Sequence, residues 1–283
     1  MSTIIRLTFL EMRKKKILYL TLLLTAIFLT LYGTALRFAY KSLNHEDTLI
    51  RLTVSGQLLS MGVYAVGFIT AFLSIFSSAG AISSEIENGT YDAILSKPIA
   101  RYEIVLGRFI GILSVIIPYV TILFLSIIGL NIFFGKGVVV NFSIIAIIKS
   151  LATFYLLPIL LISIGIFLSC SISTMGSGVV MVILYFCGMV GGILEQIGHF
   201  MNQEATKVAL TNIGILTSLV IPSDIIYRKA SSLLFTTSSG LNVSLESMLG
   251  ASIQPSPLMI GYIVMYSVVM ILLAVRKFEK RDL

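Results

Sequence analysis

Long, nearly charge-free apolar windows alternate along the chain with short polar segments rich in basic residues. The windows fall at about 17–39, 55–82, 107–133, 150–168, 178–196 and 257–276. Each approaches or exceeds the roughly 20 residues that a helix needs to cross a bilayer core. The pattern therefore predicts an all-α polytopic membrane protein with six transmembrane helices forming one domain over residues 1–283. The small, polar string SCSISTMGSG at 169–178 splits the longest window into the fourth and fifth spans. Pro118 and Pro158 lie inside the third and fourth, where each frees a backbone carbonyl and can bend its helix.

Two segments fit the pattern less simply. At about 2–16, Ile5, Phe9, Met12 and Lys16 recur at helical spacing beside Arg6 and the run Arg13, Lys14, Lys15, Lys16. A short helix lying in the membrane interface suits them, the alternative being a first span that begins early behind a basic anchor. At about 199–256 the apolar run 208–221 is short for a crossing, and predicts a re-entrant, interfacial or bundle-packed segment that caps the outer side.

Composition agrees: 57% of residues are hydrophobic and only 12% charged, with mean hydropathy +1.01. A soluble enzyme domain carries about twice that charge. The first apolar run reads as a permanent span, not a cleaved leader. Lys and Arg number 20 against 13 acids, an excess that sets orientation in a membrane protein and needs no nucleic-acid partner. Arg6, Arg13, Lys14, Lys15, Lys16, Lys97, Arg101, Arg108, Arg276, Lys277, Lys280 and Arg281 gather on one side if the N-terminus is cytoplasmic, and outnumber those opposite. The expectation is a multi-pass protein of the cell membrane with both termini in the cytoplasm. Arg108, with the run from Arg13 to Lys16, is expected to anchor helices at the lipid headgroups.

Catalytic chemistry finds no support in the sequence. Cys170 and Cys187 lie in or beside apolar runs, away from any CxxC spacing, and His45 and His199 are far apart, so neither a metal site nor a triad is expected. GLNIFFGKG around Gly129 and Lys136 has the wrong spacing for a phosphate loop, and Gly137 stands where Ser or Thr should hold magnesium. The chain is thus expected to be no enzyme and to bind no cofactor. Apart from Lys149, which can snorkel at a span edge, no paired acids or buried bases are expected in the spans, which argues against an ion-driven carrier. Gly107 with Gly111 and Gly188 with Gly192 form GxxxG pairs, suited to packing within the bundle or to a dimer seam.

One polar island remains, SSEIENGTYDAILSKPIARYEIVLGRF at 83–109. Its acids and Asn88-Gly89 precede the apolar Ile94, Leu95 and Ile99, with a break at Pro98, so an amphipathic helix at about 84–99 is expected; a solvated loop is the plain alternative. In Glu85, Glu87, Gly89, Thr90, Leu95, Pro98, Ile99, Arg101, Gly107 and Arg108 the island resembles, nearly position for position, the E-x-E-x-G-T, L-x-x-P-I-x-R and G-K/R signature of the membrane subunits of ATP-binding-cassette transporters of the type-2 exporter class. The N-terminal segment looks like the elbow helix of that class. IPSDIIYRKAS, with Pro222, Asp224 and Arg228, looks like the stretch before the last span in a branch that includes permeases of sodium, bacteriocin and nitrous-oxide-reductase maturation systems.

The resemblance implies an exporter permease that pairs with a second copy or a similar subunit. Two copies of a separate cytoplasmic ATPase would hold ATP and magnesium. It makes 84–99 a coupling helix and assigns its contacts with the ATPase to Glu85, Glu87, Asn88, Gly89, Thr90, Asp92, Leu95, Pro98 and Arg101. A subunit that transmits force to an extracytoplasmic partner, or an ATP-independent channel or carrier, are the alternatives.

Overall fold

The computed structural model describes residues 1–43, 48–89, 100–135, 143–201, 203–235 and 256–280. Among them the regular elements are α-helices and no strand occurs. In chain order they are α1 Ser2–Lys14, α2 Lys16–Ser42, α3 Thr48–Ser78, α4 Ser83–Glu87, α5 Arg101–Gly135 and α6 Ile144–Phe154, then α7 Leu156–Ser171, α8 Thr174–Phe200, α9 Glu204–Val220, α10 Ser223–Phe235 and α11 Pro257–Glu279. Among the described residues six helical stretches are long and apolar enough to cross a membrane, Lys16–Ser42, Thr53–Glu87, Arg101–Gly135, Ile144–Ser171, Thr174–Gly198 and Leu258–Glu279, and the bent pair Glu204–Val220 with Ser223–Leu234 makes a seventh if it is one span.

These stretches match the hydropathy windows, with two physical refinements. The fourth span is two helices, α6 and α7, which break at Tyr155. Pro158 has no N–H to offer the carbonyl four residues back, which explains a break at this point. Pro118 leaves α5 a single helix over its whole length.

The centre of the bundle is α7, whose residues from Leu160 to Ile166 are all buried. It has no polar face because α3, α5, α8 and α11 surround it. Gly165 lets α3 come close: a Cβ there would stand 2.0 Å from Ser78 Oγ. By contrast α2 and α11 lie at the periphery, each with 17% of its apolar window buried. Both therefore present wide apolar faces outward.

Both GxxxG pairs are used inside the chain. Those of α5 face α1: a Cβ on Gly107 would come within 2.7 Å of Ile4 Cγ2, and one on Gly111 within 2.6 Å of Thr8 Cβ and 3.2 Å of the Ile5 carbonyl. The N-terminal helix is thus docked along the third span. Those of α8 face the junction of α9 and α10, where Gly188 approaches the Ile221 carbonyl and Gly192 the Asp224 carboxylate.

Residues 204–220 run back along α8 as a hairpin partner, and the chain then bends by 98° into α10. There α10 tucks against α6, α8 and α3, closing that end of the bundle. This part of the segment is packed on the bundle and bent, and the remainder of the expected capping region, 236–255, lies outside the described residues.

Replacing Gly111 with Leu should lift α1 off α5, because the new side chain meets a backbone oxygen as well as Thr8. A loss of about 1–3 kcal/mol is expected for such overpacking, read as a lower thermal midpoint of the purified protein in detergent. An unchanged midpoint would mean that α1 is not held there.

Candidate functional site

The polar island starts on a well-secured root. After α3 ends, a turn at 79–82 leads into α4, whose C-cap is Asn88. Gly89 follows at φ 66, a left-handed conformation that glycine adopts without a Cβ penalty, and its N–H reaches the Ile86 carbonyl at 3.1 Å. Gly89 therefore stops α4, and the rest of the helix expected over 84–99 lies outside the described residues. Of the expected coupling residues, Thr90, Asp92, Leu95 and Pro98 lie outside the described residues.

The end of α7 and the start of α8, which the sequence marks only as a break, form the receptor for α4. Ser169 Oγ accepts the N–H groups of Ile82 (3.0 Å) and Ser83 (2.9 Å) and donates to Ser83 Oγ (3.1 Å). One hydroxyl has one proton and two lone pairs, so its capacity is filled. Ser83 Oγ also lies 2.8 Å from Thr174 Oγ1, and the Thr174 N–H donates to Glu87 Oε1 at 2.9 Å. Ser177 Oγ adds a bond to the Ala79 carbonyl.

On its other side α4 meets a buried cation. Arg108 is 7% exposed, and its guanidinium pairs with Glu85 of α4 through Nη2 and with Glu11 of α1 through Nη1. The expected role of Arg108 at the headgroups is thereby corrected. The close approach at Gly107 and Gly111 carries it under α1, where carboxylates replace water and lipid phosphate. Glu85 is correspondingly turned inward.

Lys15 Nζ stands 3.2 Å from Glu11 as well. Burial pushes the Glu11 carboxyl up, but the hydrogen bond and charge of Arg108, joined by Lys15, outweigh it and hold the group below its ordinary value. Arg13, Lys14 and Lys16 are exposed.

Met1 and the end of α11 both converge on the start of α5 here. Arg101 donates to the carbonyls of Phe278 (3.3 Å) and Glu279 (2.9 Å), satisfying orphan acceptors at the C-terminal end of α11. The Met1 amino nitrogen lies 2.9 Å from Glu103 Oε2. Glu87, Asn88 and Gly89 remain exposed beyond this cluster.

At the opposite end, Arg228 is 5% exposed and lies 2.7 Å from Glu195 Oε2 of α8 and 2.8 Å from Asp224 Oδ2, one turn away on α10. Pro222 is buried in the turn that aims α10 inward. This cluster overturns the expectation that the spans hold no paired acid or buried base. Glu195 was missed, although an isolated acid inside an apolar window is itself a signal that a partner exists. Within the bundle, Asn131, fully buried on α5, donates to Tyr32 OH and the Ile127 carbonyl, both at 2.9 Å, and joins α2 to α5. Cys170 is buried and Cys187 exposed.

The family model described as ABC-2 family transporter protein matches residues 4–283 of the chain. No curated protein matches it.

Arg108→Met should cost about 3–5 kcal/mol, the penalty for stranding the partners of a buried charge, read as a lower unfolding midpoint. A shift as small as that of an exposed Lys14→Met would contradict the burial. The Glu11 contribution has a definite pH sign. A lowered folded value means it is present above the ordinary carboxylate range and lost as pH falls through the lowered value. A spin label at Leu7→Cys should become more mobile over that acid interval, and Glu11→Gln should abolish the transition.

Proposed function

The chain belongs to the ABC-2 family of transporter proteins and is a membrane permease subunit, and from that premise we propose that it forms the substrate pathway of an exporter. Two copies, or one copy and a similar chain, assemble with two cytoplasmic ATPase subunits that hold ATP and magnesium. This chain contributes no catalytic residue. The end that carries α4, Met1 and the tail of α11 faces the cytoplasm, in keeping with its basic residues.

The observation that carries this reading is the construction of α4. Its tip, Glu87, Asn88 and Gly89, is exposed, with Glu87 also accepting the Thr174 N–H of α8, while its root is bonded to Ser169 of α7 and to Arg108 of α5. A five-residue helix has almost no stability of its own, so its position is set by those bonds. A push on the tip is therefore passed to α3, α5 and α8 together, and through Glu11 to α1.

On this reading the residues 84–99 dock on the ATPase. Glu87, Asn88 and Gly89 make direct contact, joined by Thr90, Asp92, Leu95 and Pro98. Glu85 acts from behind as the link to Arg108, and Arg101 ties the exit of the segment to α11.

The test is retention of the ATPase. When the tagged chain is purified from its native membranes, an ATPase without membrane spans should accompany it. Glu87→Arg and Gly89→Lys should each lower the retained ATPase and its ATP hydrolysis by at least about tenfold, with insertion of the chain unchanged. Undiminished retention in both variants would defeat the proposal.

A further inference from the structure

Beside α4 the same end of the bundle carries an open groove of about 560 Å³. It runs between the α1–α2 junction, the end of α3 and the start of α8, and its size is within the roughly 300–1,000 Å³ of ligand sites. Two glycines create it. Gly80 lets Thr174 approach, since a Cβ there would stand 2.9 Å from Thr174 Cγ2, and Gly178 faces Ala79 without a side chain. Phe76, Val179 and Ile183 give it apolar walls that are themselves substantially exposed.

The groove is basic on its α1–α2 side, and at the opposite edge the Glu87 carboxylate is taken up by the Thr174 N–H. Its lining includes no carboxylate, and its cation is Lys15, the extended residue between α1 and α2. Arg13, Lys14 and Lys16 flank that position and are exposed, whereas the single acid of α1, Glu11, is already engaged by Arg108 and Lys15. An apolar trough opening beside a basic run matches a molecule with a hydrocarbon tail and a negative head.

We propose that this groove binds the acyl chain of an anionic lipid drawn from the leaflet that faces the basic run, with its headgroup held at Lys14, Lys15 and Lys16. The site stands independently of the transport reading. Its occupant packs against Ser84 and Thr174, which border the groove, and so rests on the joint that holds α4 to α8.

The sequence has no tryptophan, so a single introduced indole reports on its own surroundings. Phe76→Trp puts one on the groove wall, Met175→Trp supplies a second at its edge, and Leu272→Trp places a control on the exposed face of α11. The full chain is reconstituted in vesicles in which either phosphatidylglycerol or phosphatidylcholine carries brominated acyl chains, and quenching is read against mole fraction. Half-quenching at both groove reporters should need about fivefold less phosphatidylglycerol than phosphatidylcholine, the scale of one Lys–headgroup attraction. The control should show no such preference, and Lys14→Gln with Lys16→Gln should bring the groove ratio towards one. Equal quenching by the two lipids at the groove, or the same preference at Leu272→Trp, overturns the proposal.

Discussion

A guanidinium buried in a helix bundle needs carboxylates around it, and the cytoplasm-assigned end of this protein is organised by that need at Arg108. Its partners Glu11 and Glu85 come from α1 and α4, elements far apart in sequence. Leaving the buried cation without its carboxylates costs several kcal/mol, whereas Glu11 is partly exposed and solvent screens its share. Docking of α1 along α5 and seating of α4 beside it are therefore one event. Gly107 and Gly111 supply the room, since any larger residue would hold α1 too far away for Glu11 to reach.

From this constraint the rest of that end follows. With α4 fixed from one side by Arg108, the hydroxyls of Ser169 and Thr174 fix it from the other, and the start of α8 becomes part of the same unit. The α1–α2 junction, carried in by α1, forms one wall of the apolar groove, and the end of α3 and start of α8 form the others. At the far end Arg228 does for α8 and α10 what Arg108 does for α5, α1 and α4. Each end of the bundle is thus pinned by one buried arginine held between two carboxylates, with the nearly wholly buried α7 between them.

The sequence made some of this plain and hid the rest for identifiable reasons. Spans are legible because a bilayer demands some 20 apolar residues in a row, and the windows agree with the helices. Glu87 and Gly89 stand out through the resemblance of their segment to the type-2 exporter signature. Arg108 does not, because a basic residue at a membrane border ordinarily snorkels, and its partner Glu11 is 97 residues away. The string at 169–178 has the composition of a simple break, yet its hydroxyls are a binding surface, a property that only the fold confers. Pro118 and Pro158 have the same chemistry in similar surroundings, and only Pro158 coincides with a break in its helix.

On the proposed coupling, α4 moves with α8 as one body when the ATPase binds nucleotide. Spin labels at Asn88→Cys and, in a separate variant, at Met175→Cys, each with Cys187→Ser, report the distance between the two copies in the assembled complex. Pulsed dipolar measurements with and without trapped ATP should show the two distances changing together, by similar amounts and in the same direction. A change at Asn88→Cys with none at Met175→Cys, or no change at either, would contradict the account.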